Sequence, residues 1–116
     1  MSLVDMMNKI KTRPDFHKAG MILFHNGVMR SSSRDGKPVN ELIVTCDMNK
    51  LDKIVSRMKK RTGIIEVLCE VKEGTLHAGD DIMLVAVAGD FRENVFPVLM
   101  DTVDMIKKDV IREMEM

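Results

Sequence analysis

Arg30, Arg92 and Lys107 stand at the boundaries of the chain's apolar segments, and they are the residues whose type and place best suit chemistry. Arg30 closes an apolar stretch just before a polar loop, and Arg92 opens the last helical segment. Lys107, with Lys108 and Arg112 close by, falls near that segment's end. Guanidinium groups present planar donor forks that match phosphate and carboxylate oxygens, and an amine in a closed pocket can move a proton. Arg92 stands apart because a helix N-terminus ordinarily favours acids, so a cation there points to an anion shared by the two. Lys107 lies one residue beyond Ile106 and four beyond Val103, at the edge of an apolar stripe. From there its stem can lie along protein while its amine reaches a pocket.

The other chemistry-bearing residues read as structural. His17, His25 and His77 share no spacing with Asp, Glu or Cys that builds a zinc site, so neither a metal nor a resident cofactor is expected. No nucleophile elbow, phosphate loop or dinucleotide fingerprint is present. Lys50, Lys53, Arg57, Lys59, Lys60 and Arg61 crowd one helix beside a single acid, Asp52. They read as a solvated face whose counterweight is the strip Glu66, Glu70, Glu73, Asp80 and Asp81. Glu66 and Glu70 alternate along a strand with an exposed face, so no acid–base pair is assigned to them.

These residues need elements to hold them. Val4, Met7 and Ile10 repeat at helical spacing and end near Arg13-Pro14. Ala19 to Met29 reads as a buried strand bent at Asn26-Gly27, and Ser31 to Pro38 as a mobile polar loop. A strand over Val39 to Cys46 precedes a helix capped by Asp47, with Leu51, Ile54, Val55 and Met58 on one face. Ile64 to Val71 alternates, which predicts one wet sheet face, and Ile82 to Ala88 is apolar throughout, as a central strand would be. Asp90 and Glu93 suggest a capping box for a last helix with Phe96, Leu99, Val103, Ile106 and Val110 as its stripe, and Pro97 should kink it or delay its start. The order predicts an α+β fold, helices packed on a largely antiparallel sheet.

At 116 residues the chain has the size of one domain, expected to span 1–116. Eighteen basic residues balance eighteen acidic ones, so no global charge draws nucleic acid or an anionic membrane. Twelve methionines with no Trp or Tyr describe a core of flexible side chains and leave few platforms for stacking bases. The longest apolar run is far short of a membrane span, no secretory leader is read, and the expected compartment is the cytoplasm. Cys46 and Cys69 are expected as free structural thiols.

Four segments in register resemble the large, catalytic subunit of molybdopterin synthase. Ala19-Gly20 through Phe24 to Gly27-Val28-Met29-Arg30 is similar to that family's opening strand, and Gly74-Thr75-Leu76-His77-Ala78-Gly79-Asp80 to its Gly-x-Leu-x-x-Gly-Glu turn. Val85 to Phe96 follows its Val-x-Val-x-x-x-His-Arg-x-x-Ala-Phe, and Asp104-Met105-Ile106-Lys107 its Asp-x-Leu-Lys. The resemblance implies an α/β hammerhead fold and a homodimer carrying a ubiquitin-like small subunit that ends in Gly-Gly. It also implies transfer of two sulfurs from that subunit's thiocarboxylate to a pterin phosphate, cyclic pyranopterin monophosphate, in molybdenum cofactor biosynthesis. Lys107 stands at the family's catalytic lysine, Arg30 at its pocket arginine, and Phe91-Arg92 at its anion-binding His-Arg pair. Three features differ, the first being Phe91 in place of that pair's histidine. Val71-Lys72 replaces a first His-Arg pair, and an ungapped continuation puts Met114 where the family has a second lysine. These departures leave open an alternative, a lapsed relative that keeps the fold as an anion-binding or assembly module.

Overall fold

Strand β5, Asp81–Gly89, is the member on which both cores are built. In the computed structural model, which describes residues 1–116, it lies between β1 (Met21–Val28) and β3 (Ile64–Val71). A second sheet has the order β4 (Gly74–Leu76), β2 (Leu42–Cys46), β6 (Ile111–Glu115). Every pairing is antiparallel. The helices are α1 (Leu3–Lys11), α2 (Met48–Lys59) and α3 (Arg92–Met105), and α3 runs on into a wide π turn over Ile106–Val110.

β5 is apolar throughout because both of its faces are covered. Met83, Val85 and Val87 enter a main cluster of 17 buried residues, which also takes Leu42 and Val44 from β2, Leu76 from β4 and Ile111 from β6. That cluster ties the two sheets together. Leu84, Ala86 and Ala88 point the other way and pack under Met6 and Ile10 of α1. α1 is fixed at its start by a capping box: the Asp5 N–H donates to Ser2 Oγ, and the Ser2 N–H donates to the Asp5 carboxylate. Asp47 caps α2 in the same way, accepting from the Lys50 N–H, and Leu51, Ile54 and Met58 are its buried face.

Several expectations need correction. The strand β1 is half-buried rather than buried, because it is an edge strand. The second face of β3 is not wet: Leu68 packs against the α1 cluster, and Glu66 is 8% exposed. Glu66 is tolerated there because Arg13 Nη1 (2.7 Å) and Lys59 Nζ (2.9 Å) pair with it, and because its carboxylate accepts from the Val67 N–H. Asp90 does not cap α3 as one half of a box; its carboxylate accepts from the Phe91 N–H and Asn94 Nδ2, and Phe91 takes the cap position. α3 starts before Pro97 and is not delayed by it. Its buried side is Val95, Val98, Thr102 and Ile106, while Phe96 is 54% exposed. Thr102 escapes an apolar count, yet it is buried because its hydroxyl donates to the Val98 carbonyl.

The C-terminal helix also ends sooner than its apolar stripe suggests. Ile106 and Val110 are both buried, the turn between them widens, and the chain leaves as β6 to pair with β2. Both cysteines are free, and burial pushes the Cys69 thiol up to about 12. No helix is long and apolar enough to cross a membrane.

Candidate functional site

Arg30 is delivered by the way β1 ends. The register with β5 slips between Gly27 and Val28, so the strand bends there. Met29 is then locked: it is 4% exposed, its N–H donates to the Asp80 carbonyl and its carbonyl accepts from the Gly79 N–H. Arg30 follows directly, at the foot of a loop that folds back on itself. The Ser33 N–H donates to the Lys37 carbonyl and the Val39 N–H to the Ser31 carbonyl. Ser33 Oγ, bonded to the Asp35 carboxylate, also accepts from the Lys37 N–H.

Lys107 comes from the opposite side. With Ile106 and Val110 pinned in the core, the intervening residues of the π turn are pushed outward. The result is a cleft of about 480 Å³ whose lining includes His25, Arg30, Arg34, Lys107, Glu113 and Glu115. Three fixed cations face two carboxylates. The volume suits a small ligand, and the cations suit an anionic one. His25 lies on the β1 face shared with Met21 and Leu23, its Nε2 is enclosed without a hydrogen-bond partner, and its imidazole is held below the ordinary histidine range by burial and then by the charge of Lys107.

Arg30 and Lys107, 77 residues apart in the sequence, are thus brought together. Phe91 and Arg92 are not. Met21 pairs with Gly89 and Val28 with Asp81, so Arg30 and Arg92 follow opposite ends of the same strand ladder, about 27 Å of strand rise apart. The Arg92 side chain is 82% exposed and pairs only with its neighbour Glu93 at 3.2 Å, a weak surface contact. Phe91 is 65% exposed. Met114 is opposite Ile43 in β6 and does not line the cleft; the residues on either side of it, Glu113 and Glu115, do. That is strand alternation, which a helical reading of the C-terminus hides. His25, Arg34, Glu113 and Glu115 were not singled out from sequence, although Arg34 was legible as a cation inside the polar loop after Arg30.

Around the α3 N-terminus the backbone is tight rather than hollow. Gly63 has φ +76, and a Cβ there would come 2.2 Å from the Asp90 carboxylate, so only glycine fits. No group of three or more His, Cys, Asp or Glu side chains is placed to hold a metal ion.

Fold and cleft together define a class: a small antiparallel α+β protein with a cationic cleft where a bulged strand end meets the turn after its last helix. The chain belongs to the MoaE protein family, whose profile matches residues 2–109. A probable molybdopterin synthase of Haloferax volcanii is 27% identical over 115 residues. That match covers 95% of this chain, and the chain spans 44% of that relative's length. Among solved structures, molybdopterin synthase from Staphylococcus aureus matches with a TM-score of 0.81 at 20% identity, covering 100% of this chain and 85% of that one. A complex of subunits 1 and 2 of molybdopterin-converting factor from Helicobacter pylori contains a chain that matches with a TM-score of 0.74 at 13% identity, covering 99% and 78%. At these identities the structural matches establish the fold.

Proposed function

We propose that this chain is the large subunit of a molybdopterin synthase, acting in molybdenum cofactor biosynthesis as a single domain over residues 1–116. It accepts sulfur from the C-terminal thiocarboxylate of a ubiquitin-like Gly-Gly small subunit and passes it to cyclic pyranopterin monophosphate, in the cytoplasm. The observation that carries this reading is the shared cleft of Arg30 and Lys107, the pocket arginine and catalytic lysine of the resemblance. Arg30, with Arg34 beside it, holds the cyclic phosphate through planar donor forks, and the Lys107 amine moves protons as sulfur replaces oxygen.

A homodimer completes the site in this reading. Phe91 and Arg92 follow the far end of β5, too distant to reach the cleft of their own chain, so a second copy supplies them. Support comes from α3 itself, where Phe91, Phe96 and Met100 are 65%, 54% and 68% exposed, an unusual concentration of apolar surface beside Arg92. The test is direct: combine the purified protein with a thiocarboxylated small subunit and cyclic pyranopterin monophosphate, and measure molybdopterin. Product above a no-enzyme blank is the expected result, and none in the presence of a competent partner overturns the assignment.

A further inference from the structure

His25 is the one half-buried titratable group in the cleft, and the proposed chemistry leaves it without a task. It lies on the β1 face shared with Met21 and Leu23, across from Val85, and lines the cleft together with Lys107. Space for it depends on Gly27. A Cβ at that position would come 3.3 Å from His25 Nε2 and 3.1 Å from Met83 Cγ, so any side chain would press on the ring. Nε2 is enclosed and unpartnered, which makes the neutral ring strongly preferred: an imidazolium would bury an N–H with no acceptor. A bare nitrogen lone pair next to a lysine is instead an acceptor waiting for a donor.

We propose that His25 is the positioning residue for Lys107: its neutral Nε2 accepts a hydrogen bond from the Lys107 ammonium and holds the amine over the cleft. This rests on Lys107 being the working lysine. The charged groups around the ring are Lys107 on the turn, Arg30 and Arg34 on the loop, and Glu113 and Glu115 on β6; Met83 and Val85 of β5 are apolar. Burial, and then the charge of Lys107, favour the neutral ring. Once protonated, His25 has no lone pair to offer and repels Lys107, so the amine is released at acid pH.

The experiment has one arm that needs no substrate. Long-range nitrogen–proton spectra of protein labelled at histidine should show His25 neutral, with its proton on Nδ1, and its pKa should rise in Lys107→Met while His17 and His77 stay put. A proton on Nε2, or an unchanged His25 titration in Lys107→Met, overturns the proposal whether or not the chain transfers sulfur. In the molybdopterin assay, His25→Phe should lower kcat about tenfold with little change in KM, the size expected for losing a charge-assisted hydrogen bond. His25→Gln keeps an acceptor, so it should restore most of kcat and flatten the acid limb of its pH profile. Wild-type kcat in His25→Phe also overturns the role. An assay in which even the wild type makes no product defeats the sulfur-transfer reading alone, and the spectra still decide the His25–Lys107 pair.

Discussion

The two ends of β5 carry the same kind of side chain in opposite settings. At one end Arg30 follows a bulged strand into a cleft walled by the loop, the π turn and β6. At the other, Arg92 stands in solvent at the start of a helix where the Asp90 and Asn94 side chains pack tightly against Gly63. An arginine is therefore a ligand group only where neighbouring elements enclose it. The cleft end has its enclosure within one chain, and the α3 end leaves Phe91, Phe96 and Met100 exposed.

The largest effect expected from breaking this contrast lies at Lys107. Lys107→Ala should reduce molybdopterin formation about a hundredfold or more while leaving Tm nearly unchanged, because it is an exposed side chain at the cleft. A parallel fall in Tm would mean that the residue supports the fold instead. Next comes the split between ends. If a second copy supplies Arg92, then Arg92→Ala and Lys107→Ala proteins, each impaired alone, should recover activity when unfolded together and refolded as mixed dimers. Failure to recover, with mixed dimers present by mass spectrometry, would remove the cross-subunit site.

A smaller effect separates the buried from the open side of α3. Ile106→Ala, which empties a fully buried site next to Lys107, should cost about 2–5 kcal/mol in urea unfolding. Phe96→Ala, on the exposed side, should cost within about 0.5 kcal/mol and, if the proposed dimer forms, weaken its affinity instead. Equal losses would contradict the observed face. The smallest effect is on pH dependence. Burial, and then the charge of Lys107, lower the His25 pKa in the folded protein, whereas in the unfolded chain it binds a proton below about pH 6.5. The unfolded state therefore binds more protons as pH falls, and stability falls with it. His25→Gln should reduce the drop in Tm between about pH 7.5 and 5.5, and an unchanged drop would place the acid sensitivity elsewhere.

Much of the fold was legible because local rules sufficed. Asp47 caps its helix, Asn26-Gly27 bends β1, and the unbroken apolar run Ile82 to Ala88 is a strand covered on both faces. The failures cluster where a distant partner changes a residue's value. Glu66 is buried because Arg13 and Lys59 reach it. Thr102 is buried because its own helix satisfies the hydroxyl. The helical stripe reads as far as Val110 with no strand after it, and residues 111–115 form β6 because β2 offers an edge to pair with.

The same division holds for the site. Sequence alone determined that Arg30, Arg92 and Lys107 were the cations worth following, since residue type and position at an element's end are local properties, and the motif order around them carried the family. Only tertiary structure decided which of them meet. Spacing along a chain says nothing of whether an antiparallel ladder returns two residues to the same end or to opposite ends. Here β5 runs away from Arg30 before it reaches Arg92, while α3 and its π turn bring Lys107 back. The cleft's composition was decided there too, because strand alternation in β6 turns Glu113 and Glu115 toward Lys107 and leaves Met114 outside.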